Sequence, residues 1–207
     1  MNRALEINPG GLGAHRSYAL LLMALGRHAE AISEAQRAEQ LDPLSSDIQS
    51  TFGRVLYRAR EYEEAIPHFK RALELEPGNY SAYIRLGDVY AKLGNYDEAI
   101  AMFEKASQLR SDGMHAARIA RVYALMGRQQ EARQMISGLK AGAFETAGVY
   151  AAIGDFNEAF RILGKATSKA RINHGTDLRR STKTVPQANQ AMHARYAVRV
   201  CTFLLSD

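Results

Sequence analysis

Apolar positions along the chain recur at helical spacing, with no strand-like alternation competing. Ala31, Ala65 and Ala99 stand 34 residues apart, Ala132 follows after 33 and Ala159 after 27. Each is preceded by a glutamate, Glu30, Glu64, Glu98, Glu131 and Glu158. A second ladder (Ala4, Ala38, Ala72, Ala106) and a third (Pro9, Pro43, Pro77) keep the period of 34. Independent ladders sharing one period mark a repeated unit. Gly26, Gly94, Gly127 and Gly154 stand five residues before the first ladder, with Arg60 in that slot once. Glycine there accepts the left-handed conformation that ends a helix. Pro43 and Pro77 disfavour helix in the residue before them and separate one unit from the next. The pattern predicts antiparallel helical hairpins. The ladder alanines, Gly53 and Gly87 would let the two helices approach closely, and Tyr83, Leu86, Tyr90, Tyr96, Ile100 and Phe103 would fill the buried face.

Tyr83-Ile84-Arg85-Leu86-Gly87-Asp88-Val89-Tyr90, then Gly94-Asn95-Tyr96-Asp97-Glu98-Ala99-Ile100, Phe103 and Ala106, resemble the tetratricopeptide repeat (TPR) position by position. The unit from Ser46 to Asn79 resembles it nearly as well, through Phe52, Gly53, Leu56, Tyr62, Ala65, Ile66, Phe69, Ala72 and Pro77. The resemblance implies an all-α fold, a right-handed α-solenoid of antiparallel helix-turn-helix repeats. Residues 1–11 are then expected to be the end of a truncated repeat. Repeats follow at 12–45, 46–79 and 80–112, a shortened one at 113–139 and a fifth at 140–167. A basic linker is expected at 168–185 and a capping helix at 186–207. In that helix Met192, Tyr196, Val200 and Phe203 recur at helical spacing after Pro186, and it would cover the apolar face of the last unit. The runs Ala14-His15-Arg16-Ser17-Tyr18-Ala19, Leu25-Gly26-Arg27-His28-Ala29-Glu30-Ala31-Ile32, Leu41-Asp42-Pro43-Leu44-Ser45 and Val149-Tyr150-Ala151-Ala152-Ile153-Gly154-Asp155 resemble the C-terminal repeat modules of bacterial multidomain regulators. That resemblance implies an adaptor or sensor role beside an upstream effector domain.

Charge changes this picture only at one end. The formal net charge of +5 divides into +6 from Lys165 onward and −1 before it, so the body is balanced and the tail is basic. Arg179, Arg180 and Lys183 cluster there without interleaved aromatics to stack on bases. A nucleic-acid-associated protein using this tail is the alternative reading. Cys201 is the single cysteine, which excludes an internal disulfide and a thiolate metal site. With no membrane-length apolar run and no signal-peptide stretch, the expectation is a cytoplasmic protein.

Candidate chemistry adds no catalytic set. Gly10-Gly11-Leu12-Gly13 lacks the preceding strand and the Lys-Ser/Thr of a phosphate loop. His15 falls on a core-facing position, His28 in a turn, and neither His68 nor His115 has a second histidine at ligand spacing. His174 and His193 lack a third ligand. No enzyme activity, metal or cofactor is expected. The expected function is to bind a protein or peptide. In stacked repeats the first helices line a concave groove, placing Arg16, Arg54, Tyr57, Arg58, Arg85, Asp88, Lys92, Arg118 and Arg121 there. Asp88 is expected to pair with a neighbouring arginine. A mainly basic groove suits an extended acidic peptide, because guanidinium groups bind carboxylates bidentately. Leu20 and Thr51 stand where the carboxylate clamp of chaperone adaptors requires asparagine, which argues against a chaperone C-terminus as partner.

Overall fold

The computed structural model describes residues 12–110, 114–137 and 142–173. The truncated repeat at 1–11, the capping helix at 186–207, Cys201, His174 and His193 lie outside the described residues. Ten helices and no strands occupy the described chain. They fall into two compact units, Met1–Ser111 and Asp112–Asp207.

The first unit holds α1 (Leu12–Ala24), α2 (His28–Leu41), α3 (Ser46–Ala59), α4 (Tyr62–Leu75), α5 (Tyr80–Leu93) and α6 (Tyr96–Leu109). Each odd-numbered helix pairs with the next to make a hairpin, and successive hairpins pack through α2 on α3 and α4 on α5. The first helices also touch one another, α1 on α3 and α3 on α5. Glycine ends two of the three first helices: Gly26 has φ +73° and Gly94 φ +80°. Arg60 takes the same conformation at φ 69°, its amide donating back to the carbonyls of α3. The slot therefore dictates the backbone even where the residue resists it. Ser45 and Asn79 cap α3 and α5 by accepting from the amides of Ile48 and Ala82. The second helices lack side-chain caps but carry acids in their first turns, Glu30, Glu63 with Glu64, and Asp97 with Glu98, which suit the helix dipole.

The alanine ladders lie at the centre of each hairpin: Ala31, Ala65, Ala72, Ala99 and Ala106 are fully buried. Phe69 lies against Gly53, and Phe103 against Gly87, so closely that a Cβ on either glycine would fall inside 3 Å of the ring. One core runs from Ala19 and Leu22 through Phe52, Val55, Leu56 and Phe69 to Leu86 and Val89. Polar side chains are threaded into it in pairs. His15 meets Glu34 at 2.7 Å, and Glu34 also accepts from Arg37. Gln49 donates to Glu39 at 2.9 Å and meets His68 at 2.9 Å, while the His68 ring lies 4.0 Å from that of Phe52. Asn79 reaches back across the repeat boundary to donate to Ser46 and Ser50.

The second unit holds α7 (Met114–Leu125), α8 (Gln129–Ser137), α9 (Ala143–Ile153) and α10 (Phe156–Asn173). Gly127 and Gly154 end α7 and α9 with φ of +80° and +87°. Ala117, Ala120, Ala132, Ile136, Val149 and Ile153 form one core cluster, and Ala147, Ala151 and Ala159 another. The helix α10 runs past Ser168 to Asn173, into the stretch expected as a linker, because no glycine or proline interrupts Lys165 to Asn173.

Candidate peptide-binding surface

The first helices of unit one present their apolar stripes to the core and a polar stripe on another side. In α3, Ile48, Phe52, Val55 and Leu56 are buried, while Asp47, Arg54 and Arg58, seven and then four residues apart, share one face. In α5 the stripe is Arg85, Asp88 and Lys92, and α1 contributes Arg16.

Arg16, Arg54 and Arg85 stand on the three successive first helices α1, α3 and α5. Arg54 is half-buried on α3, and burial, then the like charges of Arg85 and Arg16 on the flanking helices, hold its guanidinium below the usual pKa, with Asp47 opposing them. Among the described residues Arg54 has no carboxylate within 4 Å. Arg16 is bound at 2.5 Å by Asp47, whose side chain is two-thirds exposed. The Arg85 guanidinium lies 3.6 Å from the Asp88 carboxylate one turn along its own helix. Asp88, expected to pair with a neighbouring arginine, is itself buried and has this arginine of its own helix beside it.

Arg58 is exposed and Lys92 half-buried. Tyr57, placed in the groove by the repeat pattern, is only 6% exposed; its ring lies 5.5 Å from that of Tyr62 and belongs to the core. Arg118 and Arg121 are half-buried on α7, in the second unit. Asp47 was not singled out by the repeat pattern. Its signal was the seven-residue step to Arg54, two helical turns on the same face. Among the described residues no group of three or more His, Cys, Asp or Glu side chains could hold a metal ion. No described helix is long and apolar enough to cross a membrane.

The tetratricopeptide repeat family pattern matches residues 1–46 and 51–113. No curated protein sequence matches the chain. Among solved structures, a thermophilic TPR protein of Thermus thermophilus is 19% identical with a TM-score of 0.66, over 82% of this chain and 94% of its own. YrrB, described as a TPR protein with an unusual peptide-binding site, is 22% identical with a TM-score of 0.55, over 86% and 93%. Pseudomonas aeruginosa pilF is 22% identical with a TM-score of 0.59, over 84% and 81%. At these identities the likeness is one of fold.

Proposed function

The chain belongs to the tetratricopeptide repeat family, and from that premise we propose that it is a non-catalytic scaffold holding an extended, acidic segment of a partner protein on the first helices of its first unit. Repeats of this family serve protein interaction, and YrrB, of like fold, is described by its peptide-binding site. The observation that carries the reading is that Arg16, Arg54 and Arg85 stand on three successive, mutually touching first helices, near enough for the outer two to act on Arg54 as like charges. A row of cations on rigid helices attracts a chain of carboxylates and steers its approach. Within this reading the protein works in the cytoplasm as the adaptor or sensor module of a bacterial regulatory protein.

Fluorescence anisotropy with an acidic and a basic extended peptide of equal length tests the proposal. The acidic peptide binds better, and its affinity falls as salt rises. Each partly solvated contact contributes about 0.5–1 kcal/mol, so several must be removed together. Arg54→Glu with Arg58→Glu replaces attraction by repulsion and lowers affinity by about tenfold or more, with the melting temperature little changed. Equal binding of both peptides, or an unaffected double variant, would place the partner's site elsewhere.

A further inference from the structure

We infer that Arg54 anchors a side-chain carboxylate of an extended acidic segment, and that Asp47 is the internal carboxylate which this segment displaces from the arginine cluster. The inference rests on the peptide-binding reading above and names its ligand group.

Arg54 is a half-buried cation between two others, without an ion pair of its own among the described residues. Such a charge is costly to desolvate, and an incoming anion relieves that cost. Its flanking cations differ in what satisfies them. Arg85 has the carboxylate of Asp88, 3.6 Å away on its own helix and 1% exposed. Arg16 has the carboxylate of Asp47, which is 67% exposed in the first turn of α3 and free to rotate into solvent. Asp47 is also the carboxylate that acts on Arg54. It therefore occupies, from the outer edge, the electrostatic place that a ligand carboxylate would take. An exposed pair of this kind contributes little, so its displacement costs little. Packed helices lie about 8–10 Å apart, a distance an extended chain covers in about three residues. In the polyproline II form of an extended segment three residues make one turn of about 9 Å, so carboxylates at every third position share one face and match the arginines of α1, α3 and α5.

The experiment uses the full chain and an amidated nonapeptide with glutamate at every third position, read by fluorescence anisotropy at low salt. A second peptide has those glutamates changed to glutamine and a free C-terminal carboxylate. Asp47→Asn tightens binding of the glutamate peptide about threefold to fivefold, and Arg54→Gln weakens it about twofold to fivefold. Glu63→Gln, an exposed neutralisation on α4, controls for overall charge. Melting curves of all three variants confirm that the fold is kept. An equal gain from Glu63→Gln and Asp47→Asn would mean long-range charge alone and would overturn the role of Asp47, while leaving the peptide-binding reading intact. Binding only of the free-carboxylate peptide would reassign the ligand group to a chain terminus. No binding of either peptide to the wild type or to Asp47→Asn would overturn both the inference and the reading beneath it.

Discussion

An alanine at position 87 would set its Cβ 2.6 Å from the Phe103 ring. Glycine is otherwise the poorer residue inside a helix, by about 1 kcal/mol. Here that penalty is outweighed by contact: Gly87→Ala forces Phe103 off its site and is expected to destabilise the protein by about 1–3 kcal/mol. Gly148 in α9 is buried too, yet a Cβ there meets nothing within 4 Å. Gly148→Ala is expected to stabilise by about 0.5–1 kcal/mol, chiefly by restricting the unfolded chain. Thermal melts of the two variants should move in opposite directions; a shared sign would mean that ring contact does not decide the effect. The close approach at Gly53 and Gly87 was legible in the pattern, because the ring faces a small residue one hairpin arm away. The contrast at Gly148 depends on what stands opposite. Gly53 and Gly87 stand seven residues before the helix-ending slot, where α9 has Ala147, so Gly148 lies one residue out of the register that faces the second helix's ring.

Helix ends were equally legible, since the glycine slot and the proline ladder are set by period. Arg60 keeps the left-handed backbone although its identity argues against it. Pro67 is the opposite case, for α4 runs through it unbroken from Tyr62 to Leu75. It removes an amide near the helix start, and the buried Ala65, Phe69 and Ala72 on either side hold the helix together. The joints between elements were not legible, because they depend on side-chain geometry across helices. At one such joint, His68 of α4 lies among Gln49 of α3, Glu39 of α2 and the Phe52 ring. Burial lowers its pKa, and Glu39 only partly opposes this. The unfolded chain therefore takes up the proton at higher pH than the folded one. The stability contribution is complete above the ordinary histidine value, about 6.5, and is lost as pH falls through the lower folded value. Urea titrations between pH 7.5 and 5 should show wild-type stability falling more steeply than that of His68→Gln. Parallel curves would remove His68 from the acid response.

At the scale of the whole molecule, stability in stacked repeats is a sum of local terms and neighbour interfaces. Within the first unit, α3 and α4 have a hairpin on either side, whereas among the described helices α1 packs mainly on α2 and α3. Opening the central hairpin breaks two interfaces, so hydrogen exchange should be slowest in α3 and α4 and faster in α1. Uniform protection across α1–α6 would indicate one cooperative block instead. The candidate site was legible in part for the same reason as the fold. Register assigns Arg16, Arg54 and Arg85 to one surface, because equivalent positions of successive repeats share a face. Tyr57 was misplaced because a helix's groove-facing and core-facing stripes adjoin, and an aromatic at the border turns inward. Asp47 was overlooked because its role comes from pairing with another helix. The rings seated on Gly53 and Gly87 also give the second and third hairpins of the first unit each its own signal. Protons on those glycine α-carbons lie in the shielding zone of Phe69 and Phe103, so their magnetic resonance lines should be displaced from the usual glycine region. The return of one line to that region, with the other still displaced, would time the opening of a single hairpin.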